Sequence, residues 1–241
     1  MSNSIPKLEG EIVKRTLQFL WLVDCSGSME GVKIASLNQA IRECLGPIRG
    51  ALAAHPEVQL MMRAIKFSDK AEWHIGPQAI PLEQIAWPEL NANGTTATSM
   101  AVNMLCDELD LEKMGRRCYP PVCILMSDGY CTEPETSYDN AINRLNSIPW
   151  GKKAVRLSIG IGKDFDEEEL LKFTNHKEIG VLRADTSSKL AEYIKWASVT
   201  ASVSSSVSKP MNDSSGKTDG ESNVIISAPP AFDISDSSVV F

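Results

Sequence analysis

At 241 residues, the chain has room for one domain of about 150–200 residues and a tail. Its 43% hydrophobic and 23% charged content is ordinary for a globular protein with a sizeable core. A net charge of −7 and the lack of any basic stripe exclude nucleic acid as the default partner, because phosphate contacts need clustered Lys and Arg.

Residues 1–11 mix charges, are expected to be loosely held, and lack the apolar stretch of a signal peptide. No later segment reaches the roughly 20 apolar residues of a membrane helix, so a cytoplasmic location with no membrane partner is the expectation. Residues 17–23 read as a buried strand that ends abruptly at Asp24, with Ser26 and Ser28 following at alternate positions. Ile34, Leu37, Ile41, Leu45 and Ile48 then recur at helical spacing. Ser28 is placed to cap that helix, and Pro47 to kink or split it. Residues 58–67 predict a second strand and residues 72–75 a short edge strand, followed by a connector carrying Pro77, Pro81 and Pro88.

The polar loop 91–100 opens a helix through Met104, Leu105, Leu109 and Leu111. The run 120–129 is a second continuous apolar stretch ending in an aspartate, Asp128, as suits a central parallel strand covered on both faces. A helix over 140–148 and a strand over 154–161 follow. Asp166 and Glu169 then stand in capping-box register at the start of a helix. A short strand at 179–182 and a last helix over 187–199 complete the pattern.

Strands alternating with helices predict an α/β fold of Rossmann-like, doubly wound type. The sheet should be mostly parallel with one short antiparallel edge strand, and helices should cover both faces. Ligands in such sheets sit beyond the carboxyl ends of the strands, where Asp24 and Asp128 both fall. The domain is expected over 12–199. Residues 200–223 are serine-rich, bury too little to offset their ordering entropy, and read as a flexible linker. Residues 224–241 regain apolar character and read as a frayed terminus or a docking peptide.

Asp24, Ser26 and Ser28 place one carboxylate and two hydroxyls on one turn, a set of hard oxygens suited to Mg²⁺. A zinc site is disfavoured. The six cysteines form no Cys-x-x-Cys pair, and His55, His74 and His176 are distant from them and assigned no neighbouring carboxylate or nucleophile.

Asp24-Cys-Ser-Gly-Ser28 matches the Asp-x-Ser-x-Ser signature of von Willebrand factor A domains, where it forms the metal-ion-dependent adhesion site. Gly94-Thr-Thr-Ala-Thr-Ser-Met-Ala-Val102 resembles the family's Gly-Gly-Thr-x-Thr-Gly-x-Ala-Leu motif, which puts Thr96 at the metal-binding threonine. Ser127-Asp128-Gly129 resembles its Thr-Asp-Gly motif, with Asp128 as the remaining carboxylate. Ile65-Lys-Phe-Ser-Asp69 and Ile159-Gly-Ile-Gly162 are supporting echoes. Two positions depart from the pattern: Thr95 and Ser99 stand where glycine is common. The start on the first strand and the Leu37-Asn-Gln-Ala-Ile41 helix look closest to bacterial tellurium-resistance-type members.

The resemblance implies a ligand set of Asp24, Ser26, Ser28, Thr96 and Asp128 around Mg²⁺, with Mn²⁺ or Ca²⁺ as alternatives. It also implies a scaffold that captures an Asp or Glu of a protein partner, in a stress-response or metal-resistance setting. The tail's own Asp233 or Asp236 is a second source of that acid, in cis or in trans. Two other classes compete. A haloacid-dehalogenase-type phosphatase needs a second Asp where Ser26 stands, and Ser26 cannot act as its general acid. A structural domain whose metal only holds loops in place remains the other alternative. A serine hydrolase or nucleotide hydrolase lacks its motif here. The expectation is a non-enzymatic binding module.

Overall fold

The computed structural model describes residues 14–114, 118–207 and 226–229. Six strands form one sheet: β1 (Arg15–Asp24), β2 (Val58–Phe67), β3 (Ala71–Pro81), β4 (Val122–Ser127), β5 (Val155–Ile161) and β6 (Val181–Ala184). Their order is β3-β2-β1-β4-β5-β6. All neighbours run parallel except β2 and β3. The mostly parallel α/β architecture expected from the alternation of elements is therefore present.

The two central strands explain why their sequences are uninterrupted apolar runs. β1 packs Leu17, Phe19, Trp21 and Val23 to one face and Leu20 and Leu22 to the other. β4 does the same with Val122, Ile124 and Met126 against Cys123 and Leu125. One face is covered by α1 (Val32–Leu52) and α7 (Ser187–Val207). The other is covered by α2 (Thr98–Glu108), α4 (Glu135–Ser147) and α6 (Glu167–Phe173), with the short α3 (Leu111–Met114) and α5 (Pro149–Lys153) at its margin. Phe19 and Trp87 each meet Trp21 edge-on, so one fully buried indole organises the α1 face.

Several expectations need correction. Pro47 neither splits nor ends α1, which runs unbroken to Leu52. Pro47 and Glu43 both face solvent, so the carbonyl left without its N–H partner can be hydrated. Ser28 does not cap α1; Gly31 precedes the helix, and Ser28 lies in a 3₁₀ turn, Gly27–Met29. The edge strand is longer than expected, extending through Pro77 to Pro81. An edge strand tolerates proline because one of its hydrogen-bonding sides has no partner strand. α7 continues to Val207, so the first residues of the predicted linker are helical; positions 208–223 lie outside the described residues. Ile226 is buried in the apolar cluster on the α1 and α7 face, whereas Asp233 and Asp236 lie outside the described residues. No described helix is long and apolar enough to cross a membrane.

Candidate metal centre at the carboxyl edge of the sheet

β1 and β4 are adjacent and in register, Val23 opposite Met126, so the residues that follow them emerge side by side. Asp24 and Asp128 are both fully buried there. The Asp24 carboxylate accepts the Ser26 N–H (2.8 Å) through Oδ1 and the Ser127 hydroxyl through Oδ2. The Ser26 and Ser28 hydroxyls lie 3.0 Å apart, Ser26 buried and Ser28 exposed, on the same turn. Ser127 Oγ also accepts the Gly129 N–H (2.8 Å), which holds the turn that carries Asp128. Gly129 needs its φ of +78°, and a Cβ there would meet the Asp166 carbonyl at 2.6 Å.

Thr96 comes to this edge through the loop between β3 and α2. Asn38 of α1 is buried and clamps Leu90 through both its amide groups, donating to the carbonyl (2.8 Å) and accepting the N–H (2.9 Å). The loop then bonds to the end of β1, Asn93 N–H to the Cys25 carbonyl (2.8 Å) and Gly27 N–H to the Gly94 carbonyl (2.9 Å). Ala97 N–H reaches the Ser68 carbonyl beyond β2 at 2.8 Å. On the far side, Thr96 N–H donates to Thr132 Oγ1 (2.9 Å), and Thr132 N–H donates to the Thr96 carbonyl (3.2 Å). Thr96 is thus held between the β1 turn and the loop after β4, and all five sequence-predicted residues share one edge.

The two departures from the family pattern each carry a carboxylate partner. Thr95 donates both its N–H (2.6 Å) and its hydroxyl (2.7 Å) to Asp69, which holds that carboxyl below the usual range. Gly94, at φ +82°, leaves no room for a Cβ beside the same carboxylate. Ser99 donates its N–H (2.8 Å) and hydroxyl (2.6 Å) to Glu133, satisfying the first turn of α2. Sequence reading named Asp69 and Ser127 only as members of motifs, without these partners, and missed Glu133, Thr132 and Lys33. Two of the histidines also have acidic neighbours after all: His55 with Glu57 (3.4 Å) and His176 with Glu178 (2.9 Å), both remote in sequence from this edge. All six cysteines are free thiols.

The electrostatics fit a cation. Burial raises the Asp24 pKa to about 6, against the lowering effect of the Ser127 and Ser26 hydrogen bonds, with the charge of Asp128 adding to the rise. Lys33, from the first turn of α1, reaches Asp128 Oδ2 at 2.9 Å. One ammonium thus stands against two buried carboxylates. Among the described residues no group of three or more His, Cys, Asp or Glu side chains could hold a metal. A cation at this edge would therefore draw on hydroxyl oxygens as well, and hard oxygens from Asp, Ser and Thr suit Mg²⁺-like ions rather than soft ones.

The fold has many solved relatives. A von Willebrand factor type A protein from Catenulispora acidiphila superposes with a TM-score of 0.60 at 18% identity, over 78% of this chain and 43% of its own length. Proximal thread matrix protein 1 from the mussel byssus, with a zinc-occupied MIDAS motif, gives 0.55 at 15% identity, over 79% and 46%. The pilus adhesin SpaC from Lactobacillus rhamnosus GG, in its open conformation, gives 0.59 at 14%, over 78% and 30%. The chain thus spans less than half the length of each of these proteins. No curated protein matches the chain significantly. The family model for the von Willebrand factor type A domain matches residues 20–196, most of the chain. Because that match covers more than half of its residues, the chain belongs to the von Willebrand factor type A domain family.

Proposed function

We propose that this protein is a metal-dependent binding module that captures an acidic side chain of a protein partner. Domains of this family commonly mediate protein–protein interaction and are generally not enzymes. The observation that carries the reading is the pair of fully buried carboxylates, Asp24 and Asp128, at one edge with the Ser26 and Ser28 hydroxyls and Thr96, and, among the described residues, Lys33 as their ion-pair partner. Asp24, Ser26, Ser28, Thr96 and Asp128 would hold the ion, with Mg²⁺ the preferred candidate. A bound divalent ion would supply an electrophilic position that a partner carboxylate can complete.

The chain's own residues account for the rest. The Ser26 N–H and the Ser127 hydroxyl aim the Asp24 carboxylate, so it needs no reorganisation when a cation arrives. Three of the five ligands are neutral, so two carboxylates at most balance a divalent ion and leave it attractive to a further anion. Lys33 keeps Asp128 balanced when no divalent ion is present and must give way when one binds. The zinc-occupied motif of the mussel protein supports a divalent ion on this type of fold. A bacterial stress or metal-resistance setting, resting on the sequence resemblance, and a cytoplasmic location, resting on the sequence's lack of a signal-peptide or membrane-helix pattern, are part of the proposal.

The test is recovery of partners on the immobilised full chain with Mg²⁺, with EDTA, and with the Asp24→Ala variant. Recovery only in the first condition supports the metal bridge. Equal recovery in all three overturns it.

A further inference from the structure

Single exposed apolar side chains are ordinary on a protein surface, but a concentration of them around one site is not. Among the described residues, five large hydrophobic side chains stand well exposed: Val32 (51%), Met100 (48%), Tyr130 (47%), Leu111 and Leu171. The first three follow directly on the three segments that carry the metal-edge residues. Val32 opens α1 four residues after Ser28, Met100 lies in the first turn of α2 four residues after Thr96, and Tyr130 comes two residues after Asp128.

The hydrogen bonds tie these three positions together. Lys33, next to Val32, donates to Asp128, and Ser99, next to Met100, donates to Glu133. Tyr130 lies in the chain between those two acceptors. One short loop therefore carries Tyr130 and anchors the helix starts that carry the other two. Tyr130 is itself fixed, because its hydroxyl donates to the Asp164 carbonyl while about half of the side chain stays in water. A ring held this way loses little freedom when a partner covers it, and Tyr and Met are among the residue types enriched at interfaces.

Charge decides what can cover this surface. Tyr130 also lines a cleft of about 290 Å³ with four acids, Glu133, Glu135, Asp166 and Glu169, against which Lys172 is the nearby ammonium. Glu30, two residues after Ser28, is exposed on the other segment. A partner bringing several carboxylates would meet like charge here as well as apolar surface, and both penalise it. One carboxylate between apolar neighbours meets neither cost.

We propose that Val32, Met100 and Tyr130 form an apolar rim that selects, among acidic partners, a protein segment whose single Asp or Glu is flanked by large apolar side chains. The choice of an acid rests on the metal-bridge reading; the preference for its apolar neighbours rests on the rim.

The test is a ¹H–¹⁵N titration of the full chain with four capped tripeptides, acetyl-Leu-Glu-Phe-amide, acetyl-Ser-Glu-Ser-amide, acetyl-Glu-Glu-Glu-amide and acetyl-Leu-Gln-Phe-amide, in Mg²⁺ and again in EDTA. In Mg²⁺ the Leu-Glu-Phe peptide should bind about tenfold more tightly than Ser-Glu-Ser, through partial burial of its two apolar side chains. The triglutamate should bind no more tightly than Ser-Glu-Ser. Met100→Ser and Tyr130→Ala should each reduce the Leu-Glu-Phe preference by about threefold while leaving Ser-Glu-Ser binding and Mg²⁺ affinity unchanged. Tyr130→Phe keeps the ring and should keep the preference. The proposal is overturned if no peptide binds, if triglutamate binds most tightly, or if Met100→Ser and Tyr130→Ala both retain the full preference. Equal, Mg²⁺-dependent binding of Leu-Glu-Phe and Ser-Glu-Ser removes the rim and keeps the metal bridge. Tight binding of Leu-Glu-Phe and Leu-Gln-Phe alike, undiminished in EDTA, keeps the rim as an apolar surface and removes the metal bridge.

Discussion

Two acidic regions lie side by side in this molecule, and they are built in opposite ways. At the sheet edge, Asp24 and Asp128 are fully buried and set by turns at strand ends; Lys33 meets Asp128 and two hydrogen-bond donors meet Asp24. In the cleft, the acids sit on a loop and on the first turns of helices, partly solvated, with the flexible Lys172 shared among Glu135, Asp139 and Glu169. Rigid, desolvated oxygens suit a small ion that demands fixed geometry. Looser, partly solvated acids that share one lysine lack that fixed geometry. Acidity alone therefore does not define a site; burial and the stiffness of the supporting backbone decide which cation it prefers.

The sharpest way to break this contrast is Asp128→Ala. Mg²⁺ affinity, measured by calorimetry, should fall by more than the roughly 100-fold expected for losing a supporting residue. Wild-type Mg²⁺ affinity in this variant would show that the ion is held elsewhere. Ser127→Ala comes next. Removing the donor that aims Asp24 should cost about 10–100-fold in Mg²⁺ affinity. The same change strips the buried Gly129 N–H of its acceptor, so urea denaturation should show a loss of about 1–3 kcal/mol.

Acidification should separate the regions further. Asp24 holds its proton up to about pH 6, against an ordinary 3.8. The folded, metal-free state therefore binds more protons than the unfolded chain between these values, and its stability falls as pH rises across that window. Metal binding runs the other way: below pH 6 the proton competes, and Mg²⁺ affinity should drop by about tenfold per pH unit. A flat affinity between pH 5 and 7 would remove Asp24 from the ligand set. Lys33→Met should raise Mg²⁺ affinity severalfold while making the metal-free fold less stable, because Asp128 loses its counter-charge. Lower affinity instead would make Lys33 a supporting residue rather than a competitor. Smallest of all, Ser99→Ala should cost about 1 kcal/mol in thermal unfolding, by analogy with a lost helix cap, and leave Mg²⁺ affinity unchanged.

How much of this was legible beforehand depended on how far apart the interacting residues lie. Asp24, Ser26 and Ser28 fall within five residues at the end of an apolar run, so both their proximity and their place at the sheet edge could be read. Asp128 was legible for the same reason, and Thr96 through its motif. Ser127 stood in the Ser127-Asp128-Gly129 motif, but its role was not legible, because its partner Asp24 is 103 residues away. Lys33 looks like any polar position on an amphipathic helix until α1 docks on the sheet and carries it to Asp128, 95 residues on. Local rules also misjudged two helix features. Ser28 had the residue type of a cap but lies in a separate turn ahead of Gly31, and Pro47 sits where the lost hydrogen bond faces water.

Sequence alone was enough for the alternation of strands and helices, the two central strands and the aspartates that follow them. Those follow from local periodicity and from runs that must be buried on both faces. The tertiary structure alone decided which donors aim Asp24, which cation opposes Asp128, and that Thr95 and Ser99 exchange glycine's freedom for carboxylate partners. It also decided that four acids from a loop and two helices gather around one cleft. Hydrogen bonds and charge pairs at this range depend on how helices dock against a sheet, and docking is set by the whole core rather than by neighbours in the chain.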